Sequence, residues 1–221
     1  MSTEFKGICS RATMLKAEEL LYLTDCSHVL TLKKGEHIYR QDTVDPYIYV
    51  VKSGTIKVGV NSESSREVIK AVLFEDMVFG ESAINLEIRD SSAVALEAKT
   101  TVLAIDCKAV KKVMSENFEF CLFVMDEMRT KLAFAEQRMA SLVVSDARGR
   151  IVDFIKYNAS KTGKSVGLET LVKHSLTQQD IANYTGTSRQ TVTSVFNELR
   201  NDNLIYFKRK SILVRDLDSL A

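Results

Sequence analysis

Residues 176–199 read LTQQDIANYTGTSRQTVTSVFNEL, and the helix-capping signals in this stretch set the fold. Thr177 is followed three residues on by Asp180, a small hydroxyl and a side chain able to reach back to its amide. That pattern opens a helix, and Ile181, Ala182 and Tyr184 supply its buried face. Thr185-Gly186-Thr187 makes a tight turn, where glycine takes positive φ without strain. Thr187 and Gln190 repeat the capping pattern, and Val192, Val195, Phe196 and Leu199 recur at helical spacing. The other face carries Arg189, Gln190, Thr193, Ser194 and Asn197. Helix, short glycine turn, helix is the helix-turn-helix plan.

Working outward, residues 203–207 and 211–214 read as two apolar strands around the basic tip Lys208-Arg209-Lys210. A basic tip taken alone signals solubility. Directly after a helix-turn-helix it is better read as a phosphate contact. The charge balance agrees. Net charge is +1 overall, but residues 147–221 hold 12 Lys+Arg against 7 Asp+Glu, whereas residues 1–146 hold 18 against 22. A basic third on an acidic body suits a polyanion.

Upstream, residues 151–159 form an amphipathic helix, Gly149 marks a helix break or a close packing point, and residues 160–165 read as a solvated loop. Before them lies the longest regular pattern. Phe118, Cys121, Met125, Met128, Leu132, Ala135, Met139 and Leu142 advance by alternating steps of three and four, a heptad stripe. The stripe predicts a helix over residues 116–145 and a parallel homodimer seam, with Lys131 at g and Glu136 at e as a pair between chains. Phe123, Val124 and Phe134 lie off the stripe and face the chain's own body.

The first half reads as short strands at 28–32, 47–51, 55–60, 67–74, 93–98 and 101–106, after a helical lead-in at 16–22. Turns separate them, including Asp45-Pro46 and the stretch 61–65. Many short strands at regular spacing read as a jelly roll. A helix at 108–114 then leads into the seam. Phe79-Gly80-Glu81-Ser82 could form an anion nest completed by Arg89, Ser91 and Ser92, although such a turn is more often only a turn.

The chain has 221 residues, 45% hydrophobic and 27% charged, which fits one or two globular domains. No window approaches the length of a membrane span, and the N-terminus has no apolar signal segment. Cys9, Cys26, Cys107 and Cys121 make no metal-ligand spacing and read as reduced thiols, so a cytoplasmic protein is expected.

Together these motifs resemble the cyclic-AMP receptor protein/fumarate-nitrate regulator (CRP/FNR) family of bacterial transcription regulators over roughly residues 20–214. The residues carrying the likeness are Leu176-Thr177-Gln178-Gln179-Asp180-Ile181-Ala182, Ser188-Arg189-Gln190-Thr191-Val192, Leu204-Ile205, Phe79-Gly80-Glu81, Asn117 and the hinge Asp146…Gly149-Arg150-Ile151. The resemblance implies an α+β chain: an effector-sensing β-roll of the cyclic-nucleotide-binding type over 1–115, a dimerisation helix over 116–145 and a winged helix-turn-helix over 146–221. It implies a DNA-binding regulator rather than an enzyme, with RNA polymerase as a further partner.

The sequence departs from the cyclic-AMP binders where they hold their ligand. They place a phosphate-binding arginine just before a serine, and here Ser91 precedes Ser92. Arg89 lies two residues earlier and is expected to point elsewhere. Where they hold the adenine from the long helix, this chain has Ala135 and Glu136, with Lys131 the nearest compensating charge. Losing the guanidinium removes a strong charge-assisted bond, which speaks against cyclic AMP. The cysteines do not cluster for an iron–sulfur centre. Haem through His28, His37 or Cys26 is a weak reading, because a lone histidine on a strand is usually packing. No cofactor is predicted, and the effector is unassigned.

On DNA, Arg189 is expected to pair with guanine, Gln190 with adenine and Ser194 with a base or a phosphate. Gln178, Gln179, Ser188, Thr191, Lys208 and Lys210 would hold phosphates, with helix capping an equal reading for Ser188 and Thr191. The operator would be near-palindromic. The rivals are an effector-independent regulator with a degenerate roll, and a cupin-type enzyme with a DNA-binding tail. His28, His37 and His174 are too scattered to favour the enzyme.

Overall fold

The computed structural model of the chain describes residues 17–62, 67–85 and 88–220. Cys9, Lys16 and the turn residues Glu63, Ser64 and Ser65 of the sequence reading lie outside them. The chain divides into two compact units, Met1–Val60 with Lys70–Phe134 and Asn61–Ile69 with Ala135–Ala221.

The first unit opens with helix α1 (Ala17–Asp25) and strands β1 (Ser27–Leu32), β2 (His37–Tyr39), β3 (Tyr47–Ser53), β4 (Ile56–Asn61), β5 (Glu67–Leu73), β6 (Val78–Phe79), β7 (Ser92–Ala95) and β8 (Thr100–Asp106). They form two four-stranded sheets, β1-β8-β3-β6 and β2-β7-β4-β5. Alternation explains why β3 and β8 are apolar throughout, since successive side chains point to opposite faces. Tyr49, Val51, Val102 and Ala104 join the cluster holding Ile56, Ala93 and Ala95 of the other sheet. Ile48, Val50, Leu103 and Ile105 point the other way, onto a second cluster with Leu23, Val110, Val113 and Phe120 from helices. Both faces of this sheet are therefore covered, as in a strand that reads as a continuous apolar run.

Helix α2 (Cys107–Glu116) begins at Asp106, whose carboxylate accepts from the Lys108 amide. The long helix α3 spans Phe118–Val144 rather than 116–145. Asn117 is extended, and its side-chain oxygen accepts from the Phe120 amide at 3.0 Å, so it separates the two helices. Along α3, Phe120 is buried, and Phe123, Val124 and Met128 pack on the helix–sheet cluster. The stripe's remaining large residues stay in water: Phe118 is 72% exposed, Met125 59%, Leu132 60%, Met139 65% and Leu142 56%. Met128 departs from the expected stripe by turning partly inward.

In the second unit helix α4 (Ala147–Thr162) starts at Asp146, which accepts from the Gly149 amide at 2.7 Å. The break thus falls at Ser145-Asp146, and Gly149 is the close packing point, where an added Cβ would meet Asp146 Oδ1 at 3.3 Å. Strands β9 (Gly163–Val166) and β10 (Glu169–Lys173) follow. Next come α5 (Gln178–Thr185), α6 (Arg189–Asn201), β11 (Ile205–Lys208) and β12 (Ser211–Val214). The expected two-stranded wing is a four-stranded sheet, β11-β12-β10-β9, and the expected loop at 160–165 is the end of α4 plus β9. Every residue of β9 is exposed, so it has no apolar alternation to reveal it.

Among the described residues no helix is long and apolar enough to cross a membrane. The α5 capping box is complete: Thr177 accepts from the Asp180 amide, and Asp180 accepts from the Thr177 amide. Thr177→Ala is expected to lower the stability of this unit by about 1 kcal/mol, with Thr177→Ser restoring it. Urea denaturation followed by circular dichroism measures it.

Candidate functional site

Helices α5 and α6 are set by local chemistry. Gly186 ends α5 with φ 66°, and its amide donates to Ala182 O. Helix α6 starts at Arg189, and Ser188 rather than Thr187 caps it, its hydroxyl accepting from the Thr191 amide at 3.0 Å. Val192, Val195, Phe196 and Leu199 are all buried, as the spacing required. Arg189, Gln190 and Ser194 are exposed, with Gln190 and Ser194 one turn apart on the outer face.

Of the residues read as phosphate contacts, Gln178 accepts from Thr193 Oγ1 at 3.0 Å, and Gln179 donates to Asn183 Oδ1 at 2.9 Å. Ser188 and Thr191 hydroxyls lie 2.8 Å apart, so the capping role is in place. Lys208 and Lys210 flank the exposed turn between β11 and β12, and Lys210 has φ 82°. His174 braces this tip: its amide donates to Lys210 O at 3.1 Å. Burial depresses the His174 pKa, and its Nδ1 lies 3.2 Å from Leu176 O. Behind the tip, Phe207 meets Phe196 edge-on with centroids 5.2 Å apart.

The end of α3 holds the turn between the two helices. Arg138 donates to Tyr184 O at 2.7 Å and stacks 3.9 Å from the Tyr184 ring centre. Arg150 donates to Thr185 O at 2.8 Å. An added Cβ on Gly186 would lie 3.1 Å from Leu142 Cδ2.

In the first unit, the Gly80–Ser82 segment forms the start of a short 3-10 helix (Glu81–Ile84), with Gly80 at φ 80°. Arg89 does not point elsewhere: its Nη1 donates to Gly80 O at 2.6 Å and lies 3.4 Å from Ser82 Oγ. The turn of chain is fixed by backbone bonds, Arg89 N to Thr43 O and Asp42 N to Arg89 O. Ser91 Oγ donates to Asp90 Oδ1, and Ser92 Oγ accepts from the Gln41 amide. Lys131 pairs with Glu81 at 2.8 Å and donates to Val78 O at 2.8 Å, both within its own chain. Ala135 and Glu136 are exposed. Asp45, Tyr39 and Tyr49, which the sequence reading left out, complete the Arg89 surroundings. Burial raises the Tyr39 pKa to about 12.

His28 lies edge-on to Tyr47, and His37 Nε2 is 3.2 Å from Arg40 Nη1. Among the described residues no group of three or more His, Cys, Asp or Glu could hold a metal ion.

Comparison with known proteins covers both halves. Residues 29–117 match the cyclic nucleotide-binding domain, and residues 137–221 match the Crp-like helix-turn-helix domain. A CRP-like cAMP-activated global transcriptional regulator of Mycobacterium tuberculosis is 24% identical over 97% of each chain. The FixK2 structure from Bradyrhizobium japonicum superposes with a TM-score of 0.80 at 20% identity, over 88% of this chain and 95% of that one. A CRP/FNR-family regulator from Thermus thermophilus gives 0.71 at 19% identity, over 87% and 96%. With a nucleotide-binding-type roll followed by a long helix and a capped helix-turn-helix, the chain belongs to the CRP/FNR family of DNA-binding transcription regulators.

Proposed function

We propose that the chain regulates transcription as a homodimer zipped along the outer edge of α3, reading a near-palindromic operator and giving no response to cyclic AMP. The exposed polar face of α6 carries this reading: Arg189, Gln190 and Ser194 stand in water while the opposite face is fully packed. Laid in the major groove, such a helix presents its N-terminal residues to base edges. Arg189 suits guanine O6 and N7, Gln190 suits adenine N6 and N7, and Ser194 reaches a base or a phosphate. Gln178, Gln179, Ser188, Thr191, Lys208 and Lys210 set register on the backbone. Two copies address half-sites about 34 Å apart, one helical turn. RNA polymerase is the further partner that membership of this family suggests.

The exposed apolar edge supports the dimer, since large side chains at heptad spacing bury favourably against a second copy. The cassette supports the lack of cyclic-AMP response, because Ser91 and not an arginine precedes Ser92 and Arg89 is already paired with Asp45. This departs from the activation by cAMP that the name of the mycobacterial relative states.

Selection of bound sequences from a random duplex pool, followed by anisotropy titration, tests the whole reading. A protein that selects no sequence and stays monomeric at micromolar concentration defeats it. Arg189→Ala is expected to cost about 1–3 kcal/mol on the selected operator and relax preference at one base pair. Replacing Lys208 and Lys210 by Gln in both copies of the dimer should flatten the salt dependence by about four units of log–log slope with base preference retained. Leu132→Glu should shift the protein to monomer in analytical ultracentrifugation and abolish the preference for two half-sites over one.

A further inference from the structure

Among the described residues of the first unit, Arg89 is the one charged side chain that is buried, at 1% exposure. Its guanidinium is nearly saturated from within. Nη1 donates to Gly80 O and Ser82 Oγ, and Nη2 donates to Asp45 Oδ1 at 2.8 Å and to Tyr47 O. The plane lies 4.2 Å from the Tyr39 ring centre and 5.8 Å from that of Tyr49. Only Nε is buried without a partner.

Asp45 is as well provided for as its cation. Oδ1 accepts from the Tyr47 amide at 3.0 Å, an Asx turn spanning Pro46, and both oxygens accept from the Tyr49 hydroxyl, at 3.1 and 2.8 Å. The Tyr49 pKa is raised, first by burial and then by this bond, so the hydroxyl stays a neutral donor. The pair is largely shielded from water, with the Asp45 side chain 12% exposed.

The space over the Gly80 turn is filled as well as neutralised. An added Cβ at Gly80 would meet Tyr49 Cδ2 at 3.1 Å and the Arg89 nitrogens at 3.2 and 3.3 Å. At the rim, the Glu81 carboxylate is taken by Lys131. An anion reaching Arg89 must first strip it from Asp45 and leave a desolvated carboxylate behind, which is strongly unfavourable. A tethered carboxylate also competes at a high effective concentration.

We propose that Asp45 is a built-in anion occupying the position on Arg89 that a ligand phosphate would need, so that this roll, despite matching a cyclic nucleotide-binding domain, takes up neither cyclic nucleotides nor phosphate. The regulator binds its operator without such an effector, a consequence that rests on the DNA-binding reading above.

Calorimetric titration of the full-length protein with cyclic AMP and with inorganic phosphate tests this. The wild type is expected to show no saturable heat at millimolar ligand. Asp45→Asn, which keeps the shape and removes the charge, should gain roughly 10–100-fold in phosphate affinity, the worth of one charge-assisted bond. The gain should vanish in Asp45→Asn/Arg89→Gln. Wild-type binding of cyclic AMP that Arg89→Gln removes overturns the proposal, and so does a natively folded Asp45→Asn that takes no phosphate. Should Asp45→Asn fail to fold, arginine side-chain NMR of the wild type decides. Arg89 resonances unmoved by phosphate support the internal anion, and a saturable shift refutes it. Operator binding is read in parallel without nucleotide: a cyclic-AMP-dependent gain in wild-type affinity also overturns the proposal. Absence of DNA binding under all conditions, with silent titrations, counts against the regulator reading alone.

Discussion

Water on the outer edge of α3 is the constraint from which the rest of this molecule follows. The helix has two apolar faces, and the first unit covers only one of them, through Phe120, Phe123 and Val124. The other presents a line of phenylalanine, methionine and leucine that a solitary chain would leave solvated. In the dimer proposed above, pairing with an identical edge would bury it and bring twofold symmetry. The near-palindromic operator of that proposal is the geometric echo of such symmetry.

Inside the roll, charge is handled in two distinct ways. Arg89 and Asp45 are desolvated together and surrounded by donors and aromatic rings, so neither can change partner without exposing the other. Lys131 and Glu81 are each about one-third exposed, in reach of water and salt, and contribute little to stability. The first pair fixes the cassette. The second fastens it loosely to α3, in a place where the heptad reading had assigned Lys131 to another chain.

The helix-turn-helix was legible because its determinants are local. A cap, a glycine and four apolar residues at helical spacing lie within two dozen residues, and only the start of α6 slipped, where Ser188 rather than Thr187 takes the capping geometry. Strands β1, β3, β4, β5 and β8 were legible through their Val, Ile, Thr and Tyr content and the turns between them. Strands β2 and β6 are three and two residues long, too short to carry a period. The Arg89 environment was misread because its decisive partner sits 44 residues away, in what the sequence shows only as an Asp-Pro turn. Likewise nothing local links Lys131 to Glu81.

Leu142 serves two masters. It is the last large residue of the exposed stripe, and its Cδ2 lies where a side chain on Gly186 would begin, against the turn joining α5 to α6. Arg138, one turn earlier, grips the Tyr184 carbonyl beside the same turn. In the proposed dimer, a tightening or slackening of the paired edge at this leucine would reach the turn between α5 and α6 within a single side chain's length.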